Sequence, residues 1–379
     1  MVSKTELFFR KVVKVIIKGF SIFVPTKYIV FESIPDLADN AMPVFEELQK
    51  SKKARKYKFI WLVEDKTNPL LPKYDNVKYV RKRRTATGAE YLHYIYRAKV
   101  LIFCNQIWHK LNLRTKSICL YHGVKNKRTR GTYDMPKNLD AFLMTSRIFE
   151  EVTKYEFDMS DKTKLLYLGY PRNDLLFKGK GQDFHKYIQT PADKLLVWYP
   201  TFRRAGDRAD ATCTSIPIIE SKEQLLKLNE TAKEQGVLIV IKFHFVDRNE
   251  ICSNEYSNLL FIDDDFFKKK CVSSYEFLGM SDGLITDYSS VFYDYLLLDK
   301  PICLSWEDFD EYKHNFPFDP MEMYKGGEKV YGVDELCDFV KNIDKDRLQD
   351  ERRAMNIRCN EITDGTSTQK VSDYICSLL

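Results

Sequence analysis

Short apolar or β-branched runs alternate with segments of helical spacing along most of the chain. Runs at 28–31, 59–63, 100–103, 117–120 and 141–144 have strand length, and helix-period stretches such as 41–49 and 86–97 lie between several of them. That rhythm predicts βαβ units, in which a parallel sheet is covered by helices. A second series follows, with strands expected at 195–199, 237–242, 259–262, 283–286 and 301–304 and helices at 221–235, 274–280 and 289–298. The polar stretch 178–194, carrying Gly179, Gly181 and Pro191, separates the two series. The expected fold is therefore α/β, with two doubly wound Rossmann-like domains facing a cleft. Residues 26–185 would form the first domain and 186–360 the second. A last segment, 361–379, carries a helix at 368–379 able to cross back to the first domain. No internal repeat or low-complexity stretch interrupts the pattern.

Residues 1–25 have a pattern of their own. Lys4, Lys11, Lys14 and Lys18 follow one another at intervals of seven, three and four, which places them on one helical face. Phe9, Val12, Val13, Ile16, Ile17 and Phe20 fill the other faces, and Pro25 stops the helix. Such a helix either lies in the headgroup region of an anionic membrane or packs on a domain. The basic run Arg81, Lys82, Arg83 and Arg84 either extends that surface or is a solvated face. No secretory signal fits the N-terminus, and the longest apolar stretch is shorter than the roughly 20 residues a bilayer crossing needs.

Composition narrows the function classes. With 379 residues, 44% hydrophobic and 30% charged, the chain can bury full cores, which excludes disordered, collagen-like and coiled-coil readings. Sixty basic residues against 54 acidic ones leave a net charge of only +6, too thin for a dedicated nucleic-acid binder. The nine cysteines are scattered and form no CxxC pair, so neither a disulfide framework nor a structural zinc site is expected. The chain reads as a reduced, cytosol-facing protein.

In doubly wound sheets, ligands bind beyond the carboxyl ends of the strands. Of the six histidines, His93, His109, His185 and His314 fall elsewhere and read as structural or solvated. His122 follows the run 117–120 at once, with Gly123 allowing close backbone approach and Lys125, Lys127, Arg128 and Arg130 just behind. A neutral imidazole there suits removal of a proton from a hydroxyl beside an anionic substrate. His244 ends the strand 237–242 and suits a phosphate. Either histidine could equally be a satisfied one at a domain seam. Asp287, Ser289 and Ser290 link the strand 283–286 to the next helix, where free N–H groups favour phosphate; Asp287 or Ser289 as a simple cap is the competing reading. Two further segments follow expected strands. One holds Arg172, Asn173 and Asp174; the other holds Thr201, Arg203 and Arg204, with guanidiniums that match a pyrophosphate. Each could instead be loop punctuation. The chain has no GxxxxGK[ST], GxGxxG or HExxH motif, and Asp263, Asp264 and Asp265 read as a solvated loop. No metal or cofactor is expected.

Taken in order, these segments resemble the CDP-glycerol glycerophosphotransferase family of teichoic-acid and capsule synthesis. The matching residues are His122-Gly123 with Lys125, the segment 169–174, Pro200-Thr201-Phe202-Arg203, His244, and the long block 281–301 reading SDGLITDYSSVFYDYLLLDKP. The resemblance implies a glycosyltransferase-B fold and transfer of glycerol phosphate from CDP-glycerol to an acceptor hydroxyl, with release of CMP. It also implies that His122 is the catalytic base and that His244, Ser289 and Ser290 contact the pyrophosphate, with Thr201, Arg203 and Asp287 nearby. The partners it implies are a CDP-glycerol or CDP-ribitol donor, a polyprenyl-linked or polysaccharide acceptor and the membrane surface, with no nucleic acid. The location it implies is the cytoplasmic face of the cell membrane, held peripherally. One transferase unit fills the length, as in the family's short priming members. Val124, Phe243 and the stretch 313–316 depart from the family's usual residues. A nucleotide-sugar glycosyltransferase of the CMP-sialic-acid type and a non-catalytic membrane-surface binder are the competing readings.

Overall fold

The computed structural model describes residues 19–83, 89–132, 135–200, 216–242 and 255–379. The expected N-terminal helix up to Lys18, together with Arg84, Thr201, Phe202, Arg203, Arg204 and His244, lies outside the described residues. The chain divides into two compact units. One is drawn from Met1–Gly123, Thr129–Arg172 and Thr366–Leu379, and the other from Val124–Arg128 and Asn173–Gly365.

The first unit holds seven strands: β1 (Tyr28–Glu32), β2 (Lys58–Val63), β3 (Val77–Arg81), β4 (Ala98–Phe103), β5 (Lys116–Cys119), β6 (Ala141–Met144) and β7 (Lys164–Tyr167). They pair in the order β3-β2-β1-β4-β5-β6-β7, all parallel. Inner strands buried on both faces become continuous apolar runs, as in Phe59-Ile60-Trp61-Leu62-Val63. The edge strand β3 mixes Lys78 and Arg81 with Val77, Tyr79 and Val80, so it stood outside the apolar runs picked out above. Phe31, Phe45, Phe59 and Trp61 form the aromatic heart of this unit, with the Phe31 and Trp61 rings 5.1 Å apart. The helix Ser367–Leu378 packs on the helix Ala41–Lys50 in the same unit. Lys53 Nζ donates to the Cys376 carbonyl at 2.7 Å, and Tyr57 Oη to that of Leu379 at 3.1 Å.

The second unit holds β8 (Lys194–Tyr199), β9 (Val237–Lys242), β10 (Leu259–Ile262), β11 (Gly283–Thr286), β12 (Ile302–Ser305) and β13 (Glu328–Val330). Their order is β10-β9-β8-β11-β12-β13, again all parallel. The polar stretch 178–194 belongs to this unit. Ser221 caps the helix Lys222–Glu234, which buries Leu225, Leu228 and Ala232 against the sheet. The helices Asp174–Gly179 and Ser274–Met280 touch backbone to backbone. A Cβ on Gly279 would stand 2.2 Å from the Leu176 carbonyl oxygen, and one on Gly179 would stand 1.9 Å from that of Glu276. Only glycine fits either position.

Two surface readings change. Asp263 is no solvated loop residue: its carboxylate caps the helix Asp264–Lys270, accepting from the backbone of Asp265 at 2.9 Å and Phe266 at 3.2 Å. Nor is the run 81–83 a uniform basic face. The Lys82 side chain is fully buried and pairs with Asp36 at 2.9 Å, while Arg83 pairs with Glu64 at 2.8 Å. In each sheet the strand order reverses beside the first strand, between β1 and β4 and between β8 and β11. Ligand crevices form at such points.

Candidate active site

In the first unit, β5 ends at Cys119 and the chain turns sharply. Tyr121 has φ +53° and Gly123 has φ +148°, a value that glycine adopts without strain. Between them stands His122, exposed, its Nδ1 lying 3.3 Å from the Cys104 carbonyl oxygen. A carbonyl only accepts, so in the neutral ring Nδ1 carries the hydrogen and Nε2 the basic lone pair. Two buried groups hold this turn in shape, and a third, Glu32, holds the neighbouring segment after β4 that faces His122. Asn40 Nδ2 donates to the Tyr121 carbonyl at 2.8 Å, and its Oδ1 accepts from the Arg172 backbone at 3.1 Å. Arg172 Nη1 donates to the His122 carbonyl at 2.8 Å and to Asp39 Oδ1 at 2.9 Å. The third is Glu32, at the end of β1, whose carboxylate accepts backbone N–H groups of Cys104, Asn105 and Gln106 at 3.2–3.4 Å. Burial pushes the Glu32 carboxyl up from its ordinary range, and Lys82 and the three N–H groups pull against that.

Arg172 and Asn173 follow β7 through Gly169, as expected, yet both are buried and engaged inside the protein. Arg172 is 7% exposed and grips the His122 turn. Asn173 belongs to the second unit, where its Nδ2 donates to Asp294 Oδ1 at 3.0 Å; Tyr275 Oη donates to Asp294 Oδ2 at 2.6 Å. Asp174 opens the helix Asp174–Gly179 and is half-buried.

The second unit begins directly after Gly123. Lys125 and Asn126 are buried there. Asn126 Nδ2 donates to the Tyr288 carbonyl at 3.0 Å and to Tyr324 Oη at 2.9 Å, which ties this short segment to the residues after β11. Thr286 closes β11 with its hydroxyl on the Tyr199 carbonyl at 2.7 Å. Asp287 is fully buried, and its carbonyl accepts from Trp306 Nε1 at 3.5 Å. Ser289 and Ser290 are half-buried at the start of the helix Val291–Tyr295, which continues as the 3-10 turn Leu296–Leu298. Ser289 Oγ accepts from the Val291 backbone at 3.4 Å, whereas the Ser290 side chain makes no cap bond.

The structure thus gathers His122, Gly123 and Arg172 at one strand end of the first unit. It places Lys125, Asn173, Asp174, Asp287, Ser289 and Ser290 in the second. Asn40, Glu32 and Asn126 are not marked by the sequence, because a single polar residue carries no motif of its own. Glu32 leaves a trace as an acid closing an apolar strand, and Asp294 lies inside the block 281–301. Among the described residues no group of three or more His, Cys, Asp or Glu is arranged to hold a metal ion, and no helix is long and apolar enough to cross a membrane.

Two parallel sheets, each wound both ways from its first strand and carrying polar groups beyond its carboxyl ends, define a glycosyltransferase-B-type architecture. The family of CDP-Glycerol:Poly(glycerophosphate) glycerophosphotransferase matches residues 16–377, and the chain belongs to that family. It is 29% identical to the teichoic acid ribitol-phosphate primase of Bacillus spizizenii, over 59% of this chain and 55% of that protein. It is 28% identical to the teichoic acid poly(glycerol phosphate) polymerase of Staphylococcus epidermidis, over 93% of this chain and 51% of that one. The chain therefore spans about half the length of these two relatives. A solved structure of the wall teichoic acid polymerase TagF shares the fold, with a TM-score of 0.77 at 23% identity over 99% of this chain and 98% of that one.

Proposed function

We propose that this protein transfers glycerol phosphate from CDP-glycerol to a hydroxyl of a membrane-linked acceptor in teichoic acid synthesis. The observation that carries the reading is family membership across residues 16–377. The reaction is a displacement at the donor's β-phosphorus. His122 Nε2 takes the proton of the acceptor hydroxyl as that oxygen bonds to phosphorus. The bond from phosphorus to the bridging oxygen breaks, and CMP leaves with the electron pair. The Nδ1 hydrogen bond to Cys104 supports this role, because it leaves the base on the other nitrogen. Ser289, Ser290, Lys125 and, beyond the described residues, Thr201, Arg203 and His244 are the groups we assign to the donor phosphates. A ribitol phosphate donor is the second reading, favoured by the match to the ribitol-phosphate primase.

Calorimetry and thermal shift with CDP-glycerol, CDP-ribitol, a CMP-sugar and a UDP-sugar test the donor without an acceptor. A donor at about 100 times its Kd stabilises by roughly 2.7 kcal/mol, enough to raise Tm by several degrees. We expect a response confined to a CDP-polyol, and the larger one names the alcohol. A response confined to a nucleotide sugar would keep the fold and overturn the reaction.

The acceptor places the enzyme at the membrane surface in this reading. Exposed apolar side chains next to the N-terminal segment support that: Phe20 is 66% exposed and Phe23 77%, while Leu113, whose N–H bonds Ser21 Oγ, is also exposed. The full chain should sediment with vesicles containing anionic lipid and release from them when Phe20 and Phe23 are both changed to Ser. Equal sedimentation of that variant would remove these rings from any membrane contact.

A further inference from the structure

We propose that Glu32 is a positioning residue for His122, acting through a single peptide group. The Asn105 N–H and the Cys104 carbonyl are the two ends of one peptide unit. Its N–H donates to Glu32 Oε2 at 3.3 Å, and its oxygen accepts from His122 Nδ1 at 3.3 Å. The result is a chain of carboxylate, amide and imidazole. A carboxylate on the N–H end polarises the amide, places more negative charge on its oxygen, and so strengthens the bond to Nδ1–H. A carboxylate bonded directly to Nδ1 does the same work in a serine-hydrolase triad; here an amide stands between.

Burial pushes the Glu32 carboxyl up, and three backbone donors with the Lys82 charge act against it to favour the carboxylate. The side chain is fully buried at the end of β1 and faces three backbone donors, those of Cys104, Asn105 and Gln106. The other titratable groups around it are Lys82, whose charge favours the carboxylate, and the buried thiols of Cys104 and Cys119, which burial holds neutral. Lys82 is itself anchored by Asp36 and by the Ser33 carbonyl. The turn that carries the relay is fixed from a second side, where Ile34 N–H donates to Asn105 Oδ1 at 2.8 Å. A purely structural role for Glu32, holding the end of β4, would need only a neutral acceptor. Coupling to His122 needs the charge.

The inference rests on His122 acting as the base, and its test separates the two claims. Nitrogen-15 NMR of histidine-labelled protein, with the His122 resonance identified by its loss in His122→Ala, reports tautomer and titration without turnover. In the unaltered protein we expect the neutral ring protonated on Nδ1; the opposite tautomer would overturn the relay with no variant needed. In Glu32→Gln, loss of the negative charge disfavours the imidazolium. His122 should therefore titrate about one to one and a half units lower, at an effective dielectric of about 20. The acidic limb of the rate profile should move with it, and kcat should fall about tenfold with the donor KM unchanged. Glu64→Gln removes a carboxylate from the same end of the sheet without touching the peptide, and should leave the His122 titration in place. An unmoved His122 in folded Glu32→Gln, or an equal shift in Glu64→Gln, would overturn the proposal. A shifted titration with full turnover in His122→Ala would instead keep the relay and remove the base assignment.

Discussion

Replacing His122 with Ala should lower turnover of CDP-glycerol by about 10²–10⁴-fold, the range that a positioned general base supplies. Donor affinity should stay within about twofold, because the lost group acts on the acceptor's proton and not on the donor's charge. The local structure tolerates the change. His122 is exposed, and the bonds that shape its turn run from Asn40 to the Tyr121 carbonyl and from Arg172 to the backbone carbonyl of residue 122 itself. Both survive truncation of the ring. Single-turnover rates beside calorimetric Kd values decide the matter. A near-normal rate would end the assignment, and a parallel loss of donor affinity would move His122 into the donor site.

The second large effect is on stability. Arg172→Ala should destabilise the protein by about 3–5 kcal/mol, the cost of leaving one member of a buried ion pair alone. Arg172 and Asp39 side chains are only 9% and 10% exposed, and the same guanidinium nitrogen also holds the His122 carbonyl. Arg172→Lys keeps the charge but lacks the planar fork, so it should recover only part of the loss. Urea unfolding with an unchanged slope gives the measurement. Unchanged stability combined with weaker donor binding would return Arg172 to the substrate-contact role that its sequence position suggests.

Arg172 shows why such roles are hard to read from the chain. An arginine after a strand, beside Asn173 and Asp174, has the composition of a phosphate grip. Which way the guanidinium turns depends on Asp39 and on the carbonyl of residue 122, groups 133 and 50 positions away in sequence. Asn173 is similar, since its partner Asp294 lies 121 residues further on. Lys82 looked like part of a basic surface, and only its pairing with Asp36 reveals it as buried. Glu32 carried no motif at all. Its importance lies in a peptide group more than 70 residues downstream, which no local pattern encodes.

The strand-and-helix rhythm, by contrast, is a local matter. A strand buried on both faces is apolar along most of its length, so β1, β2, β4, β8 and β9 announce themselves as short runs rich in Val, Ile, Leu and Phe. Edge strands such as β3 and β13 escape the rule because one side meets solvent or a polar cover. The same locality places His122 three residues after β5 and Asp287 directly after β11, and so marks both strand ends as candidate sites. By itself, then, the sequence determined the α/β class, the two series of strands and the turn on which the histidine stands. The tertiary structure decided the strand order and which carbonyl faces Nδ1 of that histidine. It also decided which polar neighbours serve as braces. Those depend on hydrogen bonds between segments far apart in the chain, and their geometry exists only once the sheets have formed.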